Sequence, residues 1–266
     1  MSATARALVL RTAGTNCDAE MCRAFELAGA RVDLVHLDRL CARPEHLDAY
    51  DLIGFPGGFS YGDDIASGRI FAAKVRRYLW PALVRAVVRG VPMLGVCNGF
   101  QVMVQSGLLP GPEPGADWPD EPPTPSIGLA RNDSARFLDR WVGVAVEPAS
   151  PCIWTADLDP SAAADVMKLP VANGEGRIVT DDAEGLARTA RVALRYTEPV
   201  NGSTADIAGV CDASGRLFGL MPHPDRYLSW THHPFWTRLD DSAKAGDTPG
   251  LAMFRSAVVA AGALHV

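Results

Sequence analysis

Residues 91–103 read VPMLGVCNGFQVM, an apolar run that passes through G-x-C-x-G into a stretch with helical apolar spacing. The pattern predicts a buried strand, a tight turn at Cys97 and a helix that begins directly after it. Glycine is needed at 95 and 99 because a Cβ at either position would clash in such a turn. The turn places the sulfur at the carboxyl end of a sheet, where the helix N-terminus favours the thiolate. The stretch therefore predicts a nucleophilic cysteine, against the alternative of an ordinary buried cysteine after a core strand.

The rest of the first half alternates short apolar runs with helical patterns, which is the rhythm of βαβ units around a parallel sheet. Strands are predicted at Ala7–Leu10, Val32–Leu37, Leu52–Phe55 and Met93–Val96, and helices at Asp18–Ala28, Ile65–Val88 and Gly99–Ser106. Later strand-like runs separated by glycine turns are Trp141–Val146, Val192–Tyr196, Ile207–Val210 and Phe218–Met221, and a closing helix is predicted at Gly250–Leu264. We therefore predict an α/β fold whose mostly parallel sheet carries an added antiparallel section.

The chain has 266 residues and 48% hydrophobic content, enough to bury one large core, and we predict a single domain over residues 1–266. Residues 110–125, PGPEPGADWPDEPPTP, are rich in proline and acids and have neither a helical nor a strand period. Their composition predicts a surface loop.

Charge and apolar patterning exclude several classes of partner. The formal net charge is −6 and no Lys/Arg-rich run occurs, so nothing attracts nucleic acid or anionic lipid. The first apolar stretch, Ala7–Leu10, is too short for a signal-peptide core, and nowhere do about 20 apolar residues run together. The six cysteines form no C-x-x-C pair and are expected to be free thiols. We expect a cytoplasmic protein without nucleic-acid or membrane partners.

A cysteine nucleophile needs a base, and the base usually needs an orienting acid. The candidate segment is LMPHPDR at 220–226, in which the preceding strand delivers His223 to a sheet edge. Pro222 and Pro224 fix the backbone, and Asp225 can hold the imidazole from the same side of an extended segment. The remaining histidines are expected to be surface or hydrogen-bonded core residues, and the pair at 232 and 233 lacks a third ligand, so no metal site is predicted. The isolated ones are His36, His46 and His265.

The third motif, GFPGGFSYGDD at 54–64, also follows an apolar strand. Its tandem glycines, Gly57 and Gly58, let backbone N–H groups approach a ligand closely. In a thiol acyl-transfer enzyme one arm of an oxyanion hole belongs here, with the N–H of Asn98 as the other arm. The alternative is a plain glycine turn. No G-x-x-x-x-G-K-[ST] occurs, so no ATP site of that kind is predicted.

Together the three motifs resemble those of the class I glutamine amidotransferases. The resemblance covers most of the chain and narrows to the PurQ family, the glutaminase subunits of phosphoribosylformylglycinamidine synthases. The further segments that carry it, in the family's order, are GTNCD at 14–18, RNDSARF at 131–137, RWV at 140–142, VANGEGR at 171–177 and NGSTADIAGV at 201–210. The chain departs from the family pattern in the insert at 110–125, in Asn173 where His is usual, and in Asp225 where Glu is usual.

The resemblance implies a flavodoxin-like open sheet with helices on both faces. It also implies hydrolysis of glutamine to glutamate and ammonia through a cysteine thioester, with ammonia passed to an ATP-dependent synthetase in de novo purine biosynthesis. The implied partners are a PurL-type synthetase and a small PurS-type bridging subunit, with ATP and magnesium on the synthetase and no cofactor on this chain. The implied site residues are Cys97 as nucleophile, His223 as base, Asp225 as acid, the Gly58 and Asn98 backbone as oxyanion hole, and Gln101 near bound glutamine.

Three alternatives stay open at this point. One is a glutaminase that serves a different synthase, and another is a PfpI-like thiol enzyme, which the C-terminal HPD motif disfavours. The third is a catalytically weakened regulatory subunit in which Asp225 is the first sign of decay. The intact elbow and His223 argue for the enzyme.

Overall fold

The computed structural model describes residues 4–162 and 164–263. The strands are β1 (Arg6–Arg11), β2 (Arg31–His36), β3 (Leu52–Phe55), β4 (Met93–Val96), β5 (Gly128–Arg131), β6 (Leu138–Val146), β7 (Lys168–Asn173), β8 (Glu175–Val179), β9 (Val192–Tyr196), β10 (Ile207–Cys211) and β11 (Leu217–Leu220). The α-helices are α1 (Asp18–Leu27), α2 (Leu37–Ala42), α3 (Arg69–Lys74), α4 (Trp80–Val88), α5 (Asn98–Ser106), α6 (Ala183–Arg188) and α7 (Pro249–Gly262).

Within those ranges, nine strands form one sheet in the order β2-β1-β3-β4-β11-β10-β9-β6-β7, while β5 and β8 pair with each other. The first five strands of that order are parallel and the rest pair antiparallel. Every residue of β3, β4 and β11 is buried, as expected for strands covered on both faces. The parallel core and its antiparallel extension confirm the predicted fold class.

The long predicted helix at 65–88 begins later and is not continuous. Gly68 lies in the left-handed region at φ 75 and precedes α3, and a π turn over Val75–Leu79 separates α3 from α4. Pro81 lacks the N–H that would bond one turn back, and its ring would crowd that carbonyl, so the wider turn accommodates it. The closing helix ends at Gly262, and Leu264, like His265, lies outside the described residues.

The proline-rich segment at 110–125 has no helix or strand, yet side chains of the α3–α4 region hold it in place. Trp118 lies against Trp80 with ring centroids 6.2 Å apart, and the Trp80 indole donates to the Pro119 carbonyl. Arg76 donates to the carbonyls of residues 122 and 123. In the described part of the chain, no helix is both long and apolar enough to cross a membrane.

Strands β1, β3, β4 and β11 are parallel, so their carboxyl ends lie at one edge of the sheet. The loops that leave this edge contain the GTNCD, GFPGGFSYGDD, Cys97 and HPD segments. Ligands of open α/β sheets bind at this edge. The topology therefore brings together motifs that are scattered along the sequence.

Candidate active site

The elbow after β4 has the strained geometry that its glycines indicate. Cys97 has φ 51 and ψ −108, a conformation rarely adopted by a residue with a Cβ. A Cβ on Gly99 would lie 1.8 Å from the Phe55 carbonyl oxygen, and one on Gly95 would lie 2.6 Å from the Met103 sulfur. No other residue type fits at either position without moving the backbone. Because α5 begins at Asn98, the N–H of that residue has no acceptor within the helix.

His223 reaches Cys97 because β11 lies beside β4 in the sheet. Val96 is paired in register with Leu220, so both loops leave the sheet at the same level. His223 is buried, its backbone N–H donates to the Pro170 carbonyl at 2.8 Å, and its Nδ1 lies 3.2 Å from Asp225 Oδ1. The acid and the base of the predicted triad are thus in hydrogen-bond contact. Asp225 Oδ2 is buried, and within residues 4–162 and 164–263 it has no hydrogen-bond partner.

Burial alone would lower the pKa of His223, since it penalises the charged imidazolium. The charge of Asp225, its hydrogen bond, and hydrogen bonds to Cys17 and Cys97 outweigh burial and hold the pKa well above its ordinary value. A protonated imidazole beside a thiol favours the thiolate–imidazolium pair. An imidazole that keeps its proton in this way can act as a general acid.

Cys17 is a second thiol against the same imidazole, and sequence reasoning assigned it no role. It precedes α1, its sulfur accepts a hydrogen bond from Arg226 Nη2 at 3.1 Å, and it donates to Asn16 Oδ1 at 3.3 Å. The segment GTNCD was a signal for the site because it forms part of the family resemblance. Only the three-dimensional structure shows that the residue faces His223.

Gly57 and Gly58 are closely packed against neighbouring side chains and backbone. A Cβ on Gly57 would be 2.7 Å from His223 Cε1 and 3.2 Å from Cys17 Sγ. Gly58 has φ 148, and a Cβ there would lie 2.8 Å from the Asn16 backbone nitrogen. Larger residues would displace the base, the second thiol or the neighbouring loop. The oxyanion role of these glycines stays a prediction.

A cavity of about 210 Å³ opens at this edge of the sheet. Its walls include Cys97, His223, Cys17, Gly58, Asn173 and Glu175. A cavity of this size is smaller than sites for drug-sized ligands and suits a molecule of amino-acid size. The two candidate thiols and the base therefore share one small ligand site.

Gln101 also lines the cavity, but both ends of its amide are engaged within the protein. Its Nε2 donates to the Glu175 backbone carbonyl at 2.5 Å, and its Oε1 accepts from Asn98 Nδ2 at 2.9 Å. These two hydrogen bonds hold the cavity wall at Glu175 in place. The prediction that Gln101 lies near bound glutamine is supported by its position in the cavity lining. Across that cavity, burial and the charge of Glu175 raise the pKa of Asp63.

Most of the remaining histidines in the described ranges make local hydrogen bonds. His36 accepts from the Asp38 N–H at 3.2 Å and caps α2, and His46 is exposed. His233 is buried, with one ring nitrogen on the Asp165 carbonyl at 2.7 Å and the other accepting from the Phe235 N–H at 3.1 Å. Both of its nitrogens are occupied, so it has no free ligand atom.

The sequence profile of the CobB/CobQ-like glutamine amidotransferase domain matches residues 4–259. A phosphoribosylformylglycinamidine synthase subunit PurQ from Dehalococcoides mccartyi is 39% identical over 264 residues, covering 95% of this chain and 96% of that protein. The chain belongs to the PurQ family of glutamine amidotransferases. A PurQ from Methanococcus maripaludis strain S2 is 36% identical over 253 residues, covering 90% of this chain and 88% of that protein.

Solved structures agree with this PurQ assignment. The structure of PurLQS from Thermotoga maritima contains a chain 32% identical to this one, with a TM-score of 0.71 and coverage of 97% of this chain and 99% of that chain. Another glutamine amidotransferase from Thermotoga maritima is 13% identical with a TM-score of 0.52, over 98% of this chain and 99% of that chain, and shares the fold alone. The resemblance inferred from the motifs is confirmed.

Proposed function

We propose that this chain is the glutaminase subunit of a phosphoribosylformylglycinamidine synthase and that Cys97 is its nucleophile. The observation that carries the proposal is the contact of His223 with both Asp225 and a thiol on a strained strand-to-helix elbow. Such an elbow presents a nucleophile at the mouth of an α/β sheet. Membership of the PurQ family supplies glutamine as the substrate.

In the first half-reaction the Cys97 thiolate attacks the side-chain amide carbon of glutamine, forming a C–S bond while the carbonyl electrons move to oxygen. The N–H groups of Gly58 and Asn98 stabilise that oxyanion. The C–N bond then breaks, and the nitrogen leaves as ammonia after taking a proton from His223. The product on the enzyme is a glutamyl thioester.

In the second half-reaction His223, now neutral, takes a proton from water as the water oxygen attacks the thioester carbon. The C–S bond then breaks, which returns the Cys97 thiolate and releases glutamate. Asp225 keeps the imidazole oriented and stabilises its charged form without taking the proton itself. The raised pKa of His223 suits this cycle because the imidazolium must be present when the amine leaves. Each turnover thus returns the proton to the imidazole.

The ammonia acceptor lies on another polypeptide in this proposal. No phosphate-binding P-loop occurs in the sequence, and an amidotransferase needs an ATP-activated acceptor. By analogy with the Thermotoga maritima PurLQS structure, the partners are a PurL-type synthetase and a PurS-type bridging subunit. ATP and magnesium then belong to the synthetase, and the complex is cytoplasmic.

The test is reconstitution with a PurL-type synthetase and a PurS-type bridging protein. ATP, magnesium and formylglycinamide ribonucleotide should raise glutamine hydrolysis by more than about tenfold, or about 1.4 kcal/mol of coupling between the sites. The control is Cys97→Ser in the same mixture, which should release no ammonia. Equal hydrolysis with and without the loaded synthetase would instead identify an independent glutaminase.

A further inference from the structure

Cys17, His223 and Asp225 form a buried group of three different metal-ligand types. One ligand atom from each lies within 4.8 Å of the other two. The sulfur comes from the loop before α1, and the other two residues follow β11. We propose that these side chains bind a thiophilic divalent cation such as Zn²⁺, and that the bound cation reversibly inhibits the glutaminase.

The donor set fits zinc better than hard cations. Zinc accepts thiolate, imidazole and carboxylate together, with bonds of about 2.0–2.3 Å in a tetrahedron. Those bond lengths place donor atoms about 3.3–3.7 Å apart, so the group closes on a cation with shifts of about 1 Å. Magnesium and calcium prefer oxygen donors. The fourth position would be taken by water, since Cys17 and His223 both line the cavity.

An independent observation points to a ligand at this place. Asp225 is 1% exposed, and its Oδ2 has no hydrogen-bond partner among the described residues, while Oδ1 contacts His223. An unpaired carboxylate oxygen away from water is costly. A cation held by this carboxylate together with the Cys17 sulfur would offset that cost.

The positive charge of the neighbouring Arg226 weakens cation binding, so the cation is expected to bind reversibly rather than as a permanent metal centre. Arg226 donates to the Cys17 sulfur at 3.1 Å and opposes a second cation electrostatically, although it also lies 3.8 Å from Glu20. Binding would release the thiol proton of Cys17 and one imidazolium proton of His223 to solvent, and the freed nitrogen lone pair would hold the cation. That imidazole could no longer exchange protons at Cys97. The inhibition therefore rests on the proposed function, whereas the binding itself does not.

Binding can be measured on the full chain without turnover. Co²⁺ is the spectroscopic probe because a cobalt–thiolate bond gives a charge-transfer band, and Zn²⁺ affinity is measured by competition with a chromophoric chelator. We expect one equivalent bound, with Cys17→Ser losing the band and weakening Zn²⁺ binding by more than tenfold. Asp225→Asn should also weaken binding, and Cys97→Ser should retain it.

The matched control is Cys22→Ser, which removes another thiol near the same end of α1. Burial raises the pKa of Cys22 to about 11, so that thiol is a poor ligand and its loss should change nothing. Absence of the cobalt band in the wild type would overturn the proposal. So would binding lost in Cys97→Ser and kept in Cys17→Ser, because the cation would then sit on the nucleophile.

Inhibition is tested on the reconstituted complex with the synthetase. Zn²⁺ should suppress ammonia release, a chelator should restore it, and Cys17→Ser should need more than tenfold more Zn²⁺ for the same suppression. Binding without inhibition would refute the inhibitory half of the proposal. Because the cobalt signal needs no catalysis, failure of the glutaminase assignment would leave the binding test intact.

Discussion

The loops that carry Cys97 and Cys17 share several features but differ in backbone geometry. Both thiols precede a helix, both line the cavity and both contact His223. Cys97 has φ 51 in a turn enforced by glycines, whereas Cys17 has the ordinary values φ −106 and ψ 18. The Cys17 sulfur is also engaged by Arg226 and Asn16. Proximity to a base and a helix N-terminus therefore does not by itself distinguish the two thiols, and the proposal that Cys97 is the nucleophile rests on the strained elbow, which Cys17 lacks.

The largest effect is expected for Cys97→Ser. Glutaminase activity should fall by at least about 10³-fold, because a serine hydroxyl at this position needs a much stronger base than His223. Ammonia release from the reconstituted complex measures this, and an unchanged Tm shows that the fold is kept. Substantial activity in this variant would contradict the nucleophile assignment.

Asp225→Asn should lower turnover by about 100-fold or more, because the imidazolium loses its orienting charge. Without that charge burial dominates and lowers the pKa of His223, so the imidazolium is lost at lower pH. The alkaline limb of the pH–rate profile should move to lower pH accordingly. Asp225→Glu is the matched control and should be mild. An unmoved alkaline limb in Asp225→Asn would assign another acid to the site.

Gly57→Ala should reduce kcat more than it changes glutamine KM. Its Cβ would lie 2.7 Å from His223 Cε1 and 3.2 Å from Cys17 Sγ, so the imidazole must move away from the elbow. Misplacement of a catalytic group by about 1 Å costs up to about 100-fold. Gly29→Ala is the control for placing alanine at a left-handed glycine, since in the described part of the chain no atom lies within 4 Å of its added Cβ. Equal kcat in Gly57→Ala and wild type would show that the close packing at Gly57 does not position the His223 imidazole.

The smallest effect on turnover is expected for Cys17→Ser. It removes one thiol contact that raises the pKa of His223, and a single hydrogen bond is worth about 1 kcal/mol, so activity should fall by less than about tenfold. The alkaline limb should move slightly to lower pH. A loss as large as that of Cys97→Ser would make the two thiols equal partners and overturn the comparison.

The parallel half of the sheet and the meeting of Cys97 and His223 at one edge of it were predictable because each depends on local patterns. The Cys97 elbow and the HPD segment each follow an apolar strand, and parallel strands end at one edge. Strands β7 and β8 were missed because Pro170 lies within β7 and Gly176 within β8, and both weaken the signal on which strand prediction depends. Strand β5 was missed because it has only four residues and begins with glycine. The place of Cys17 was not predictable because its contacts with Arg226 form only when the sheet assembles.

The most direct measurement is to trap the covalent intermediate and find which cysteine carries it. The chain is treated with a diazo-ketone analogue of glutamine, digested, and mapped by mass spectrometry, with Cys17→Ser and Cys97→Ser in parallel. We predict that the label lies on Cys97 in the wild type and in Cys17→Ser, and is absent from Cys97→Ser. A label found mainly on Cys17 would contradict the account.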